Sequence, residues 1–574
     1  MVAAIALAGC AGGYTSPAKD VSGSGATARG IVFSTVDATV TYWFEYGPTQ
    51  GYGDESPHRS IAITDRDNHP VSEVLSGLDP GTTYHYRLCA RDGATLCAQD
   101  KTFTTIGGPT ELAISADPAL SPDFDPNVSD YVTRCGAGPV NMDVVAPGDT
   151  TVSVDGSEAR NGTFSEDVAL DQGERFTIEA TGRVARSTYH VRCLPDDFPA
   201  WSWESPGDPS ANFYITMPRN VQAPGGGPAG RYIAIFDDHG APVWWMESSG
   251  SSDAKLLDDD TLAWGRTAAA GGSTPGYEIH RLDGSLVRTW RTVGTDTDIH
   301  DFELLANGNA LVGSYKPRAG TQDLTEYGGP ATGGTPIDAE FQEVRPNGTV
   351  AWSWNSKDHI DLSETPERWR STVYGLPRQL PDGRQGFDWI HWNSIQKIGN
   401  TLVVSFRHLD AVYAINMTTG NLIWKLGGTP TPDSLDVIGD PESNPLGGQH
   451  YARVLPNGNM TLYDNNTNET AAPRGAEYRM NLFNGTATLV DTVNDPDVPS
   501  SPCCGSAAKL GDGSWLVSWG GTEVISEFGP GGNRHFKLQF VSNQGTFGFS
   551  YRVDPIVGGS PTIGDLRTGM DAMP

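Results

Sequence analysis

Long apolar runs and positive charge are both scarce in this chain of 574 residues. Beyond the N-terminus, no segment approaches the roughly 18 consecutive apolar residues that a membrane-spanning helix requires. The 39 lysines and arginines are outnumbered by 70 aspartates and glutamates, so the formal net charge is −31. A surface this acidic argues against binding to nucleic acid or to anionic lipid headgroups. A simpler interpretation is that the charge keeps a large protein in solution.

Helix-like apolar periodicity is also missing. The sequence has no long run with a 3.6-residue repeat, charged residues make up only 19% of it, and 69 glycines and 40 prolines mark many turns. These features are typical of an all-β protein. Because 574 residues are too many for one hydrophobic core, we expect two to four domains.

Cysteine is the third scarce feature, with seven residues in the chain. Apart from Cys10, they fall into three local pairs: Cys89 with Cys97, Cys135 with Cys193, and Cys503 with Cys504. An even number of locally paired cysteines predicts disulfides and an oxidising compartment. For the adjacent third pair two interpretations stay open, a vicinal disulfide or two free thiols.

The N-terminus reads MVAAIALAGCAGG, in which Leu7–Cys10 resembles a bacterial lipobox whose cysteine is lipidated. The apolar run is short and no lysine or arginine precedes it, which departs from the usual pattern. An ordinary cleaved secretory signal is the alternative. Either interpretation predicts an exported protein of the cell envelope or extracellular space, attached to a membrane only through lipid on Cys10, with residues 1–20 as signal and linker.

Two stretches of alternating strands follow a Gly/Ser-rich linker at residues 11–28. Residues 21–107 resemble a fibronectin type III domain, and residues 108–196 resemble a cadherin-like sandwich of exported bacterial proteins. The segments that carry these resemblances are FEYG (44–47), LDPGTTYHY (78–86) and TFTT (102–105) in the first, and FDPNV (124–128) and TYHV (188–191) in the second. Neither stretch shows a catalytic constellation, so we predict two β-sandwich domains that act as spacers or adhesion modules.

From residue 197 the chain repeats a pair of hairpins, and 14 of its 15 tryptophans lie beyond Ala200. Each copy has an outer hairpin with a D-x-x-G-x-x-x-W pattern and then an inner hairpin, with Asn-Gly, Asp-Gly or Thr-Gly turns. There are five full copies and a sixth at residues 524–540, which we expect Phe213–Thr216 to complete. This predicts a six-bladed β-propeller over residues 197–556, with residues 557–574 as a C-terminal tail.

Three histidines occupy the same position in three of these repeats. His300, His391 and His450 each stand eight residues before a glycine in the turn of the inner hairpin, whereas two other copies carry Ser252 and Gly505 there. Equivalent positions of a circular array converge on its axis. We therefore expect the three imidazoles to meet at the mouth of the central channel, although a histidine at this position can also serve a purely structural role.

Arg407 lies on the strand that follows one of these turns and can face the same channel. Three histidines are the protein ligands of many zinc sites. Alternatively, a neutral imidazole is a competent nucleophile, and an arginine with further N–H donors stabilises negative charge on a transferred group. Because a guanidinium repels a divalent cation and attracts an oxyanion, the arginine favours transfer of an anionic group.

Four segments of the repeat region resemble the arylsulfotransferase family, exported bacterial six-bladed propellers that move a sulfuryl group between phenols without a nucleotide cofactor. They are DIHDFELLANGN, DWIHWNSIQKIGN, VSFRHLDAVYAI with KLGG, and GGQHYARVLPNGNMTLYDN. The resemblance covers roughly residues 200–556. It implies a phenolic sulfate donor, a phenol acceptor, no cofactor and no bound metal.

Carried over residue by residue, the resemblance makes His450 of the Q-H motif the histidine that is transiently sulfated. His300, His391 and Arg407 match the positions that bind the sulfate oxygens and handle the phenol proton. These four residues form the predicted catalytic set.

Two further residues are predicted to bind substrate. Asn393 matches an asparagine that is frequent in the motif around His391, and Tyr451 stands where an acidic residue often follows the nucleophile. His408 is left out, because on a strand it would alternate to the face opposite Arg407.

Two other functional classes stay open. One is a non-catalytic extracellular propeller that binds glycan or protein, with the two sandwiches as a stalk. The other is a metal-dependent hydrolase that uses the three histidines. A quinone-cofactor dehydrogenase fits less well, because such propellers usually have eight blades.

Overall fold

The computed structural model describes residues 11–573 except 20, 22–24, 35, 64–66, 79–80, 106–111, 137, 183–185, 268–274, 443–445, 468–469, 544–547 and 559. Cys10, and with it the lipobox prediction, lies outside the described residues. Strands account for 52% of the structure and helices for 6%, so the all-β prediction is confirmed. Within the described ranges, no helix has the length and apolar character of a membrane span.

Residues 11–104 form two sheets around one apolar core. Their strands are Ala11–Lys19, Gly25–Ser34 and His69–Ser76 in one sheet, and Ala38–Gly47, Asp54–Glu55, Arg59–Ile63, Thr83–Asp92, Ala94–Cys97 and Lys101–Thr104 in the other. The segment expected to be a linker therefore forms strands. The reason is close packing, because a Cβ on Gly12 would lie 2.7 Å from the ring of Phe33.

Residues 113–193 form a second pair of sheets around a separate core. Their strands are Ala113–Asp117, Val140–Ala146 and Gly162–Val168 in one sheet, and Leu120–Ser121, Asp130–Thr133, Thr151–Val154, Arg175–Thr181 and Arg186–Cys193 in the other. The resemblances to fibronectin type III and cadherin-like domains stay predictions.

Each of these regions contains one predicted disulfide. Cys89 and Cys97 face each other across a hairpin and are bonded. Cys135 is bonded to Cys193. This disulfide joins the last strand to the segment that follows Asp130–Thr133, whereas a bridge between the first and last strands was expected. Both disulfides are consistent with a secreted or extracellular protein.

Beyond residue 200, six sheets of at least four strands follow one another, and we call them blades 1 to 6. Blade 1 contains Phe213–Thr216, Tyr232–Asp237, Pro242–Glu247 and Asp554–Ile556; blade 2 contains Ser251–Leu256, Leu262–Arg266, Gly276–His280 and Leu286–Trp290; blade 3 contains Thr297–Leu304, Ala310–Pro317, Gly334–Val344 and Val350–Asn355, with Arg378–Gln379 and Gln385–Phe387 added. Blade 4 contains Trp392–Ile398, Thr401–Phe406, Ala411–Asn416 and Leu422–Gly427; blade 5 contains Asp436–Ile438, His450–Val454, Met460–Asp464, Arg474–Asn481 and Thr486–Val493; blade 6 contains Trp201–Glu204, Ser506–Lys509, Trp515–Ser518, Val524–Phe528 and Arg534–Phe540. A small separate sheet pairs Pro218–Arg219 with Phe549–Ser550.

The innermost strands of successive blades contact one another, from blade 1 through blade 6. Between blades 6 and 1, the Ser506 hydroxyl donates to the carbonyl of Val553, and the Val553 N–H donates back to that hydroxyl. The six sheets therefore close into a ring, which agrees with the predicted six-bladed arrangement. Their innermost strands surround the axis of the ring.

The ring closes through a different strand from the one expected. Phe213–Thr216 does not complete the last sheet but lies inside blade 1, beside Asp554–Ile556. Blade 6 instead gains Trp201–Glu204 as its outermost strand. Burial explains the choice, because Phe213–Thr216 is buried on both faces whereas Trp201–Glu204 alternates between half-buried and exposed residues, as an outer strand does.

The described residues also contain two α-helices and four short 3-10 turns: Glu367–Gly375, Ile563–Ala572, Thr325–Tyr327, Ser356–Asp358, Leu362–Glu364 and Arg407–Leu409. The C-terminal helix lies in the segment expected to be a tail. Its Leu566 is fully buried in the core of blade 1, and its Asp571 forms ion pairs with Arg175 and Arg192 of the second sandwich region. The helix thus connects that region to the ring of sheets.

Candidate active site

The three repeat histidines lie where the innermost strands of blades 3, 4 and 5 begin. The rings of His300 and His391 have centroids 5.0 Å apart and meet edge to face. Burial, followed by the positive charge of Arg407 and then of the other two histidines, lowers the pKa of His450 well below its usual value. The four residues predicted to be catalytic are therefore close enough to interact electrostatically.

Irregular pairing at the start of the innermost strands aims these side chains. The register shifts near the beginning of that strand in blades 2 to 5. His391 and Tyr451 have positive φ angles of 45° and 54°, a region that non-glycine residues seldom adopt. Bulges re-aim side chains, and backbone strain of this kind concentrates at functional sites.

His450 is held as one neutral tautomer. Its Nδ1 lies 2.6 Å from Oδ1 of Asn465 and 2.9 Å from the carbonyl oxygen of Gly448. Both oxygens accept, so Nδ1 carries the proton. Nε2 therefore holds a lone pair, to which the backbone N–H of Cys504 donates at 3.2 Å. A buried neutral imidazole with its lone pair on Nε2 is the form that a nucleophile requires, and the Cys504 N–H has to give way when Nε2 reacts.

Each of the other two histidines is anchored through Nδ1 to a carboxylate. His300 bonds to Asp298, and His391 lies 2.7 Å from Oδ2 of Asp388. Burial lowers the pKa of His391 although Asp388 opposes the shift. In both residues the carboxylate fixes the ring, so Nε2 is the atom left for a substrate.

Arg407 begins a 3-10 turn directly after the strand Thr401–Phe406. Its Nη1 donates to Nε2 of His408 and its Nη2 to the carbonyl of Pro502, each at 3.0 Å. The guanidinium also lies 4.4 Å from the ring centroid of Trp369. Among the described residues, its buried Nε has no hydrogen-bond partner. The Arg407 guanidinium is thus held in one orientation, and its Nε–H is available to donate to a ligand.

His408 does not lie on a strand, because the strand ends at Phe406 and a 3-10 turn begins at Arg407. The predicted alternation of His408 to the opposite face is therefore wrong. The His408 ring lies 4.8 Å from that of His391, and its Nδ1 donates to the carbonyl of Asp388 at 2.7 Å. Its Nε2 is therefore the acceptor that orients Arg407.

Asp388, His391 and His408 also present ligand atoms within 4.8 Å of one another, a spacing that a metal ion can use. Two guanidinium groups oppose a cation here, since Arg378 bonds to Asp388 and Arg407 bonds to His408. The charges of the cluster suit an anion better.

The two residues predicted to bind substrate make other contacts. Asn393 is fully buried and donates from Nδ2 to the carbonyl of Gln449 at 2.7 Å, which links blades 4 and 5. The ring of Tyr451 lies 4.2 Å from the guanidinium of Arg453 and 4.9 Å from that of Arg552. It lines a cavity of about 230 Å³ between the innermost strands. Within the described part of the chain, Tyr451 makes no hydrogen bond or ring contact with the three histidines.

Two tyrosines that the sequence did not single out complete the surroundings of the histidines. The ring of Tyr551 lies 5.8 Å from that of His300, and the ring of Tyr315 lies 6.0 Å from His300 and 5.8 Å from His391. Burial raises the pKa of both well above 10.0, so both stay neutral. The Tyr551 hydroxyl is buried without a partner among the described residues. Such rings can pack against a flat aryl group.

Cys503 and Cys504 are free thiols in this structure, which is one of the two interpretations that their adjacency left open. A bond between them would need a change in the spacing of their backbone. Neighbouring Cα atoms across a trans peptide are about 3.8 Å apart, whereas disulfides usually span about 4.4–6.8 Å. Both cysteines lie at the cluster, because the Cys504 amide contacts His450.

Asn465 is a testable part of this arrangement. Replacing it with alanine removes the side-chain acceptor that holds Nδ1–H of His450, so we expect kcat/KM for any reaction at His450 Nε2 to fall by about tenfold or more. The Ser501 hydroxyl and the Cys504 carbonyl also lose a buried donor, so Tm is expected to fall and the kinetics are measured well below it. Asn465→Asp keeps an acceptor oxygen and is expected to retain more activity than Asn465→Ala. Steady-state kinetics of the two variants measures this difference, and equal activity of Asn465→Ala and the unsubstituted protein would contradict the orienting role.

Comparisons with known proteins agree with this chemistry at the level of a family. Residues 268–541, just under half of the chain, match the family model of arylsulfotransferase (ASST). This segment includes all four residues predicted to be catalytic, and the match supports a sulfotransferase at family level. A search of curated proteins found no match.

Solved structures resemble the chain only weakly. The sensor domain of the anti-sigma factor RsgI4 from Pseudobacteroides cellulosolvens is 20% identical over 17% of this chain and 90% of that chain, with a TM-score of 0.14. Kluyveromyces lactis Hsv2 is 8% identical over 66% of this chain and 95% of that chain, with a TM-score of 0.27. The NanB sialidase from Streptococcus pneumoniae is 8% identical over 93% and 99%, with a TM-score of 0.24. Scores this low carry no functional argument.

Proposed function

We propose that this protein is an arylsulfotransferase that moves a sulfuryl group from a phenolic sulfate ester to a phenol through a sulfated His450. The observation that carries the proposal is the fixed neutral tautomer of His450, beside the guanidinium of Arg407. The family match over residues 268–541 agrees with it. Two β-sandwich domains ahead of a propeller, and export from the cell, belong to the same proposal.

In the first half-reaction, Nε2 of His450 attacks the sulfur of the donor. A bond forms between nitrogen and sulfur, the bond between sulfur and the aryl oxygen breaks, and its electron pair leaves with the phenolate. A histidine whose Nδ1 is held by a carboxylate can carry a second proton on Nε2, because the carboxylate balances the charge. His300 or His391 in this form gives that proton to the leaving oxygen.

The second half-reaction reverses these steps with a new phenol. The acceptor gives its proton to the same histidine Nε2, and its oxygen attacks the sulfur on His450. Nε2 of His450 regains its lone pair, so the protein returns to its initial state. A phenol pKa near 10 makes the oxygen both a tolerable leaving group and a usable nucleophile.

Arg407 supplies positive charge to the sulfuryl oxygens. Its free Nε–H and the remaining Nη protons can donate to oxygens that carry charge throughout the transfer, much as arginine stabilises phosphoryl groups. Tyr315 and Tyr551 offer neutral aromatic surface for the aryl ring of either phenol.

Mass spectrometry after incubation with an aryl sulfate tests this function directly. We expect one added SO₃ group on the peptide that contains His450, released again when a phenol is supplied. The acceptor is left out of the first incubation so that the intermediate accumulates. Absence of the adduct together with absence of transfer in a chromogenic assay would contradict the proposal, and tightly bound zinc would favour a metal-dependent hydrolase instead.

The pH profile provides an independent prediction. Burial and the charge of Arg407 lower the pKa of His450 well below its usual 6.5, so the nucleophile stays neutral as the pH falls through 6.5 and is protonated only at much lower pH. An aryl sulfate is anionic throughout this range. The histidine that protonates the leaving phenolate becomes more fully charged as the pH falls, and the pKa of His391 is itself lowered. We therefore expect kcat/KM, measured from about pH 4.5 to 8, to show no loss as the pH falls through 6.5 and to decrease only well below it. A loss of kcat/KM on acidification centred near pH 6.5 would contradict the assignment of His450.

A further inference from the structure

The backbone around Cys504 covers the reactive nitrogen of His450. The Cys504 N–H donates to Nε2 of His450 at 3.2 Å, and the Cys504 carbonyl accepts from Nδ2 of Asn465 at 3.0 Å. The next residue, Gly505, donates its N–H to the carbonyl of Tyr551 at 2.9 Å. One short segment therefore contacts the proposed nucleophile, the residue that sets its tautomer and a residue of the aromatic surroundings.

The preceding residues contact the arginine. The carbonyl of Pro502 accepts from Nη2 of Arg407 at 3.0 Å. A hydrogen bond with the Cys504 thiol, followed by the charges of Arg407 and His300, lowers the pKa of the Cys503 thiol although burial opposes the shift. Both thiols are half-buried, and they are the free cysteines of the described residues, because the other four form disulfides.

We propose that Cys503 and Cys504 form a thiol-modification site that takes small disulfides, and that closing them into a vicinal disulfide suppresses the reaction of His450. The effect on transfer rests on the proposed function, whereas the modification itself does not. A small disulfide, such as oxidised glutathione, is the oxidant.

The chemistry proceeds in two exchange steps. The Cys503 thiolate attacks one sulfur of the small disulfide, which forms a mixed disulfide and expels one small thiolate. The Cys504 thiol then loses its proton and attacks Sγ of Cys503, which forms the vicinal bond and expels the second small thiolate. The two cysteines lose two electrons and two protons, and the small disulfide gains them as two thiols.

Closing this bond has to move the backbone. The Cys503–Cys504 peptide is trans, and neighbouring Cα atoms about 3.8 Å apart are closer than disulfides usually allow. The peptide that must distort is the one whose N–H faces His450. Its flanking carbonyls hold Asn465 and Arg407. Oxidation therefore disturbs the nucleophile, its orienting residue and the guanidinium together.

The experiment treats the purified, disulfide-intact protein with oxidised glutathione after mild reduction. We expect loss of both free thiols by thiol titration, a peptide containing Cys503 and Cys504 that is lighter by two hydrogens, and transfer activity lowered by at least about tenfold. Mild reductant should restore the activity. The double variant Cys503→Ser/Cys504→Ser is the matched control, and its ratio of activity after to before treatment should stay near one.

A readout that does not need turnover separates this proposal from the proposed function. Carbethoxylation of His450 by diethylpyrocarbonate, quantified on its peptide, should change severalfold on oxidation in the unsubstituted protein and not in the double variant. If the protein lacks transfer activity but shows the vicinal disulfide and this change, the modification site stands and the sulfotransferase proposal fails. Thiols that resist oxidised glutathione, or a vicinal disulfide that alters neither activity nor His450 reactivity, would overturn the inference.

Discussion

Replacing His450 with alanine is expected to lower kcat/KM for sulfuryl transfer by about 10⁴-fold or more, because the reaction then lacks the atom that accepts the sulfuryl group. The site offers no equivalent replacement. In the proposed mechanism Nε2 of His300 and of His391 handles the phenol proton and the sulfuryl oxygens, and the Nδ1 contact with Asp298 or Asp388 holds each ring in that position. The loss should appear in kcat as well as in kcat/KM, because the first half-reaction itself is blocked.

A matched histidine elsewhere in the chain controls for general damage. His359 packs against Trp354 on the outer strand of blade 3, with ring centroids 5.1 Å apart, and has no place in the proposed chemistry. His359→Ala should keep transfer within about twofold of the unsubstituted protein, while circular dichroism shows both variants folded. If His450→Ala retains activity, or if the SO₃ adduct appears on another residue, His450 is not the nucleophile.

Replacing Arg407 with alanine is expected to lower kcat/KM by about 10³-fold. The change removes a cation that two hydrogen bonds, to His408 and Pro502, hold in a fixed orientation, and in the proposed mechanism this cation stabilises the sulfuryl oxygens. Arg407→Lys retains charge but not the planar donor array, so it should recover only part of the loss. Steady-state kinetics with one donor and acceptor pair ranks the three proteins.

Arg345 provides the corresponding control, because its side chain bonds only to the nearby turn at Thr349 and Val350. Arg345→Ala should be close to fully active. Thermal unfolding checks that Arg407→Ala remains folded, since the substitution also removes a buried guanidinium from the surface of Trp369. If kcat/KM is unchanged in folded Arg407→Ala, the sulfuryl oxygens are not stabilised by this residue.

The three histidines are evident in the sequence because they recur at one position of a repeat, and a repeat arranged in a ring superposes equivalent positions around its axis. Arg407 followed from spacing and from the resemblance to arylsulfotransferases. Asn465 escaped notice although it ends a segment that carries the resemblance, because its role depends on the folded hairpin that returns it to His450.

Other parts of the site were missed for different reasons. Tyr551 stands eight residues before Gly559, the spacing that each of the three histidines has to its glycine, but a pattern defined by histidines does not include it. His408 was excluded by an alternation that stops where the strand ends at Phe406. Whether Cys503 and Cys504 are bonded depends in part on whether their peptide is cis or trans, which the sequence alone does not state.

The amino-acid sequence by itself determined the β-strands, the hairpin turns and the period of the repeat, because side-chain alternation and glycine turns act over a few residues. Only the tertiary structure decided which strand closes the ring, which tautomer His450 adopts and what covers its reactive nitrogen. Each of these depends on hydrogen bonds and burial between groups that are distant along the chain, such as Ser506 with Val553 and His450 with Cys504. Contacts of this kind exist only after the sheets have packed together.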